Sequence, residues 1–122
     1  YQRIAAVQTP EECSELIEEL RDRYGPIPKP VENVVKIMKA RILAVDLCVK
    51  KMNLNKNQLH IIFDTYHPIT PVRKRYAYEI LSENIETGWE EYPYLECYTD
   101  GDSEKILDLL ITYLEKLHNE GV

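Results

Sequence analysis

Residues 20–31 of this chain read Leu-Arg-Asp-Arg-Tyr-Gly-Pro-Ile-Pro-Lys-Pro-Val, a run that ends one helix and begins another. Gly25 can adopt the left-handed conformation that closes a helix, and Pro26 has no N–H group with which to continue one. Pro28 holds the connection extended, and Pro30 suits the first turn of the next helix, where an N–H group would have no intrahelical partner. We therefore predict a stiff elbow built on these four residues.

The helix before this elbow is predicted to span residues 10–24. Thr9 and Glu12 form a capping-box pattern, in which the Thr9 hydroxyl accepts from the backbone N–H three residues on and the Glu12 side chain reaches back. The apolar residues recur at steps of three and four, which is typical of a helix with one buried stripe. That stripe comprises Cys13, Leu16, Ile17, Leu20 and Tyr24, and the charged residues Glu15, Glu18, Glu19, Asp22 and Arg23 lie off it.

After the elbow, the pattern predicts a second helix and a hairpin. The helix should span residues 30–48 and be the most buried element, because apolar residues occupy more than one of its faces. Its main stripe is Val31, Val34, Val35, Met38, Ile42 and Val45, widened by Ile37, Ala44, Leu47 and Cys48. Residues 51–54 and 59–63 then form strands that turn at Asn55-Lys56-Asn57, where asparagine tolerates the required backbone angles.

The remaining sequence predicts two helices and a strand. The third helix begins at Thr70-Pro71 and runs toward Ser82 on a stripe of Val72, Tyr76 and Ile80. Gly88 separates it from a strand over residues 94–99. Gly101-Asp102-Ser103 caps the last helix, whose apolar face is Ile106, Leu109, Leu110, Tyr113, Leu114 and Leu117. The order helix-helix-hairpin-helix-strand-helix favours an α+β fold, with helices packed on a small, mostly antiparallel sheet.

Composition predicts one domain, residues 1–122, with a core that needs no disulfide or metal. The net charge of −6 argues against general affinity for nucleic acid. Charge is nevertheless segregated, since residues 29–75 hold ten bases and three acids whereas residues 76–122 hold twelve acids and two bases. These segments are expected to attract each other or different partners.

The same composition predicts a cytoplasmic protein. No apolar run is long enough to span a bilayer, and no basic-then-apolar leader opens the chain. Cys13, Cys48 and Cys97 are widely spaced and odd in number, which indicates small core residues and not a disulfide framework or a zinc site. Because the chain starts without methionine, we expect it to be a piece of a larger protein.

No recognisable catalytic motif is present. The sequence lacks a phosphate-binding glycine loop, a His-Glu-x-x-His pair and a nucleophile elbow. His60, His67 and His118 fall on a strand, a loop and a helix end, and nothing in the sequence brings them together with the cysteines as ligands. We therefore expect no catalytic residue, no cofactor and no metal in this chain.

Two patterns bear on binding. Arg73-Lys74-Arg75 lies in the first turn of the third helix, where the helix dipole disfavours cations, so either an anionic partner or, more simply, an ion pair within the chain is expected. The other cations, Lys36, Lys39, Arg41, Lys50 and Lys51, are expected on a solvated face. Carboxylates surround the aromatic residues from Trp89 to Tyr94, which disfavours stacking on nucleic acid and favours core packing or a protein contact.

The opening Tyr1-Gln2-Arg3-Ile4-Ala5-Ala6, the Glu-rich first helix and the run Asp-Arg-Tyr-Gly-Pro-Ile-Pro-Lys-Pro-Val-Glu-Asn resemble the C-terminal domain of the bacterial transcription-repair coupling factor. The resemblance is dense over residues 1–49 and rests only on element order and length thereafter. It implies a parent protein that translocates on DNA with ATP and magnesium, displaces RNA polymerase stalled at a lesion and recruits excision repair. The motor is absent from this chain, so the chain itself is not expected to be an enzyme.

The resemblance also implies a regulatory, autoinhibitory role. In that family the domain looks like a clamp on a UvrB-like module, and it covers the surface that would bind UvrA. Such a clamp needs a polar, reversible contact, since an apolar one would be hard to open. On resemblance and position, we expect Glu19, Asp22 and Arg23 to contact the UvrB-like module within a monomeric chain.

Two alternatives stay open. A nucleic-acid-binding module using the basic segment 36–75 would show affinity that falls steeply with salt, whereas the clamp predicts negligible binding to DNA by this chain alone. A small enzyme would need titratable groups that converge in a cleft. Asp22 and Arg23 could also simply decorate a helix end.

Overall fold

In the computed structural model, which describes residues 6–55, 57–98 and 101–122 apart from the Ser103 side chain, four α-helices and four β-strands follow one another along the chain. The helices are α1 (Pro10–Tyr24), α2 (Lys29–Asp46), α3 (Pro71–Ile80) and α4 (Ser103–Glu120). The strands are β1 (Val49–Leu54), β2 (Gln58–Phe63), β3 (Ile85–Trp89) and β4 (Pro93–Tyr98). Residues 1–5, Lys56 and Thr99, which take part in the predictions above, lie outside the described residues.

The helix starts follow the predicted caps. The hydroxyl of Thr9 accepts from the N–H of Glu12 at 3.1 Å, and that of Thr70 accepts from Arg73 at 3.2 Å. The carboxylate of Asp102 accepts from the N–H of Lys105 at 3.0 Å. Each cap satisfies a backbone donor that the first helical turn leaves without a partner. Glu12 also reaches back, but its carboxylate accepts from the N–H of Gln8 at 3.0 Å, one residue before the N-cap N–H of Thr9 that a capping box engages.

The strands form one antiparallel sheet in the order β1-β2-β4-β3, which confirms the α+β fold. The predicted hairpin is β1–β2, and the side-chain oxygen of Asn55 accepts from the N–H groups of Asn57 and Gln58, both at 2.9 Å. The predicted single strand is instead a second hairpin, because β3 pairs with β4. Gly88 lies inside β3 and therefore does not separate elements. A glycine is needed at this position because the ring of Tyr94 occupies the space that a side chain would fill.

Two apolar clusters hold these elements together. The main core lies between one face of the sheet and helices α2, α3 and α4, and its fully buried members include Leu59, Phe63, Leu95, Tyr113 and Leu117. A second, smaller cluster of Cys13, Leu16 and Val35 joins α1 to α2. Helix α1 is therefore attached to the body through α2.

Three predictions about buried faces are wrong in detail. Tyr24 is 75% exposed although it was placed on the buried stripe of α1, because that helix ends beyond the reach of α2. Helix α2 is not the most buried element, and Val34, Ile37 and Val45 on its predicted stripe are exposed. In α3 the deepest residues are Arg73 and Ala77, one position along from the predicted stripe.

The prediction of a single buried stripe on α2 is wrong for a physical reason. The helix is wedged between two neighbours, so its buried arc is divided. Val35 faces α1, whereas Ala40, Leu43 and Leu47 face the main core. A single stripe inferred from spacing assumes a single buried face.

Candidate protein-binding surface

The predicted contact residues lie together on the last two turns of α1. Glu19, Asp22 and Arg23 are spaced by three and four residues, so their side chains share one side of the helix. Asp22 and Arg23 are exposed, whereas Glu19 is half-buried. Among the described residues, no hydrogen bond or ion pair engages the side chains of Asp22 and Arg23. Two opposite charges are thus presented to solvent beside the elbow.

The elbow that follows holds this end of α1 in place. The N–H of Gly25 donates to the carbonyl oxygen of Arg21 at 2.9 Å, with φ 77° and ψ −150°, a combination that belongs to glycine. Pro28 is extended, and its carbonyl oxygen accepts from the N–H groups of Val31 and Glu32, both at 3.1 Å. The side chains of Arg21 and Glu32 meet across the bend at 3.8 Å. The direction of α1 relative to α2 is fixed on both sides of the turn.

A groove of about 400 Å³ lies between α1, α2 and α4, next to this surface. It is lined by a chain of ionic contacts: the ammonium of Lys36 lies 2.7 Å from Asp108 and 3.5 Å from Glu32, and that of Lys39 lies 3.5 Å from Glu115. Lys39 also donates to the hydroxyl of Ser14 on α1 at 3.2 Å. The lysines that line the groove thus link the three helices.

Lys36 and Cys13 in this groove are poor candidates for nucleophiles. The hydrogen bond that Lys36 donates to the carboxylate of Asp108 raises the pKa of Lys36, and burial raises the pKa of the Cys13 thiol. Both shifts keep the groups protonated at neutral pH, whereas a nucleophilic amine or thiol needs a lowered pKa. No cluster of metal-ligating side chains occurs within the described ranges.

The basic residues of segment 36–75 are distributed differently from the prediction. Lys36 and Lys39 do not lie on a solvated face, because they pair with carboxylates of α4. Arg73 is 6% exposed, and its guanidinium donates to the carbonyl oxygens of Val122 at 2.6 Å and Leu47 at 3.2 Å. The run that contains Arg73 therefore finds its partner within the chain, as expected, but the partner is backbone oxygen and not a carboxylate.

The histidines and cysteines lie in separate surroundings. His60 lies 3.7 Å from Glu96 on the sheet, and His118 lies 3.4 Å from Asp46 between the ends of α4 and α2. Cys13 and Cys97 are buried, which confirms them as small core residues, and Cys48 is half-buried at a positive φ of 58°. Trp89 is 57% exposed at the end of β3, so it is not a core residue.

Sequence reasoning missed the ionic contacts that join α2 to α4. Lys36 and Lys39 meet Glu32, Asp108 and Glu115, and only the spacing of Glu32 and Lys36 at four residues signals any of these pairs. The others join residues far apart in sequence, which a local pattern does not reveal.

No helix in the described part of the chain is both long and apolar enough to cross a membrane.

Comparison with known proteins relates this chain to one family. The family profile of the TRCF domain matches residues 1–74. The transcription-repair-coupling factor of Borreliella burgdorferi is 31% identical over 111 residues, which cover 87% of this chain and 10% of that protein. A crystal structure of the C-terminal domain of transcription-repair coupling factor superposes with a TM-score of 0.76, at 21% identity, over 98% of this chain and 76% of that one. The last match shows a shared fold.

Proposed function

Because this chain belongs to the TRCF domain family, we propose that it is a non-catalytic, autoinhibitory domain of a transcription-repair coupling factor. In this proposal it docks on the UvrB-like module of its parent protein and covers the surface that binds UvrA. The parent would translocate on DNA with ATP and magnesium, displace stalled RNA polymerase and recruit excision repair in the cytoplasm. The chain matches 10% of the length of its curated relative, so these activities belong to the parent as a whole.

The observation that carries the proposal is the exposed charged end of α1. Asp22 and Arg23 are exposed and engage no partner among the described residues, while the neighbouring Arg21 is tied to Glu32 at 3.8 Å. Helix α1 already holds the backbone of Asp22 and Arg23 in place, so binding has to order only their side chains, which favours a specific contact. Glu19 extends the same side of the helix by one turn. This surface is suited to a partner that presents complementary charges.

The chemistry of this surface also suits a contact that must open. Exposed charged contacts contribute mainly specificity and association rate, and each adds little net affinity. A clamp held by such contacts can be released by a competing ligand with modest differential affinity. A large apolar contact would hold the clamp shut. The polar end of α1 therefore fits a reversible mask better than a permanent subunit interface.

The test is a calorimetric titration of the chain with the separately expressed UvrB-like module of its parent. We expect saturable binding by the wild-type chain and a loss of about tenfold or more when Glu19, Asp22 and Arg23 are all replaced by alanine. A variant with Lys74→Ala, Glu79→Ala and Glu83→Ala removes the same number of acids and bases from exposed positions elsewhere and should bind like the wild type. Unchanged binding by the first variant would refute the assignment of these residues.

A further inference from the structure

The outward side of α2 carries apolar side chains that no described element covers. Val34, Ile37 and Val45 are 40%, 44% and 74% exposed and lie on the same side of the helix as Arg41. Exposed aliphatic residues at single positions are ordinary, but a row of them along one helix marks an interaction surface. This row lies on a different side of α2 from Val35, which packs in the cluster with α1. It is separate from the charged end of α1.

A groove of about 520 Å³ runs beside this row, between α2 and β1, and we call it the edge groove. Ile37 and Val45 form its α2 side, Met52 and Leu54 form its β1 side, and Leu107 and Leu110 of α4 line its floor. Its lining is thus mainly aliphatic. A segment that fills it would remove these side chains from water.

The strand beside the edge groove is open to a further strand. In the sheet order β1-β2-β4-β3, β1 lies at an edge. The N–H of Asn55 donates to the carbonyl oxygen of Gln58 at 3.0 Å, so alternation along the ladder directs the backbone groups of Asn53 toward β2. The backbone groups of Met52 and Leu54 then face away from β2. The residues whose side chains line the groove are therefore those whose backbone is available at the edge.

Charge around the edge groove is positive, although the chain as a whole has a net charge of −6. Arg41, Lys50 and Lys51 line it, and no carboxylate does. Within the part of the chain that the structure describes, Arg41 and Lys51 have no ion pair, and Lys50 lies 4.3 Å from the ring centre of Tyr92. The other lysines of α2, Lys36 and Lys39, are paired with carboxylates. Cations without carboxylates here are complementary to an acidic partner.

We propose that the edge groove binds an extended polypeptide segment of alternating apolar and acidic residues, which adds to β1 as a fifth strand of the sheet. Its backbone would pair with that of Met52 and Leu54, and its apolar side chains would enter the groove. Alternate side chains of a strand point to opposite faces, so the acidic ones would face Lys51 and the rim. A helix would leave the open backbone groups of β1 unpaired, and a phosphate backbone would leave the aliphatic lining wet. This site goes beyond the proposed function, because it lies on another surface.

Lysines at a sheet edge also protect a protein from unwanted strand pairing. That role alone would make the edge repel strands of any charge pattern, whereas a binding site would select acidic strands. The two roles are distinguished by the charge of the peptide. The test therefore uses peptides that differ only in charge or in backbone hydrogen bonding.

The experiment measures fluorescence anisotropy of a fluorescein-labelled peptide Glu-Val-Glu-Val-Glu-Val titrated with the chain. We expect saturable binding, weakened about tenfold or more by Arg41→Glu with Lys51→Glu. The matched variant Lys74→Glu with Lys105→Glu reverses two exposed charges elsewhere and should bind like the wild type. In ¹⁵N spectra, the amide signals of Met52 and Leu54 should shift on binding. A peptide with N-methyl groups at its valines should lose binding, because it cannot pair as a strand.

The proposal would be overturned by the absence of saturable binding up to millimolar protein, or by undiminished binding of the N-methylated peptide. It would equally be overturned if the peptide Lys-Val-Lys-Val-Lys-Val bound as well as the acidic one, or if the Arg41→Glu, Lys51→Glu variant retained binding. A single-stranded oligonucleotide that binds the same cations more tightly than the acidic peptide would also overturn it and assign the rim to nucleic acid. Far-ultraviolet circular dichroism of each variant confirms that it is folded.

Discussion

Arg73 has a structural role that its sequence context hides. It lies within Arg73-Lys74-Arg75, a run for which the sequence predicts an anionic partner or an ion pair, yet its guanidinium is buried against the ring of Phe63. The guanidinium donates to the carbonyl oxygens at the ends of α2 and α4. The hydroxyl of Tyr113 donates to the backbone carbonyl oxygen of Arg73 at 3.0 Å. Burial lowers its pKa, but arginine remains charged. One side chain thus ties three helices together.

Replacing Arg73 with alanine should lower the free energy of unfolding by about 2–4 kcal/mol, because the buried carbonyl oxygen of Leu47 and the part-buried one of Val122 lose charged donors. The measurement is urea denaturation followed by circular dichroism. Lys74→Ala is the control, and we expect it to change the free energy by less than about 0.5 kcal/mol. Equal effects of the two substitutions would mean that Arg73 does not act as a tie.

At the scale of elements, α1 is the peripheral helix. Its buried residues Cys13 and Leu16 belong to a cluster separate from the main core, and its polar links to α2 include the ion pair of Arg21 with Glu32 and the hydrogen bond from Lys39 to Ser14. Elements with few buried contacts open locally at lower free energy than the core. Helix α1 is therefore the element expected to respond first to substitution.

Leu16→Ala should release α1 selectively. Removing a buried leucine side chain costs about 2–5 kcal/mol, and here the loss falls on the small cluster alone. Hydrogen exchange should accelerate in the amides of α1 and stay unchanged in β2 and β4. Leu114→Ala, in the main core, is the comparison and should accelerate exchange throughout. If Leu16→Ala accelerates exchange equally in β2, the two clusters unfold as one unit.

The elbow should tolerate no side chain at Gly25. Alanine there meets no atom, so its cost of about 1–3 kcal/mol comes entirely from the backbone angles, φ 77° and ψ −150°. Gly121 has φ 67° and ψ 28°, a region that other residues enter at a cost of about 1 kcal/mol. Hydrogen exchange of α1 should accelerate in Gly25→Ala and not in Gly121→Ala. A Gly25→Ala variant with unchanged exchange would show that the elbow is not rigid.

How far the sequence predicts these elements depends on where their signals lie. Local signals were sufficient for α1, the first hairpin and α4, because caps, turn asparagines and one-sided stripes act within a few residues. They were insufficient for β3, where a glycine that normally separates elements lies under the ring of Tyr94. They also missed Arg73 and the edge groove, which depend on contacts between distant segments. The proposed contact residues followed from family resemblance and not from local pattern.

Across the whole molecule, the segregated charges of the sequence face one another. Lysines of α2 meet acids of α4 at three places, which are Lys29 with Glu104 at 3.8 Å, Lys36 with Asp108 at 2.7 Å and Lys39 with Glu115 at 3.5 Å. The basic and acidic segments therefore attract each other within the domain. This is one of the two alternatives that the sequence predicts, the other being attraction to different partners. The carboxylates of these pairs are exposed even where the lysines are half-buried, so the pairs orient α2 on α4 more than they stabilise it.

The stability of the whole domain should fall at alkaline pH. The pKa of Lys36 is raised by its hydrogen bond with Asp108, and burial raises the pKa of Tyr113, Cys13 and Cys97. Each folded-state pKa exceeds the unfolded value, so the native state binds more protons and loses stability as pH rises above about 9. Urea midpoints measured between pH 7 and pH 11 provide the check.

Tyr113→Phe separates the tyrosine from the other groups in that measurement. It removes the hydrogen bond to Arg73, so it should be less stable than the wild type at pH 7. It also removes one buried acid, so its stability should decline less between pH 9 and pH 11. Parallel declines in the two proteins would mean that Tyr113 does not contribute.

The most direct test of the account is a competition experiment. Binding of UvrA to the separately expressed UvrB-like module is measured while the concentration of this chain is raised. If the chain masks the UvrA-binding surface, bound UvrA should fall toward zero, and the chain with Glu19, Asp22 and Arg23 replaced by alanine should compete at least about tenfold less well. Binding of both proteins to the module at once, with UvrA affinity unchanged, would contradict the autoinhibitory role.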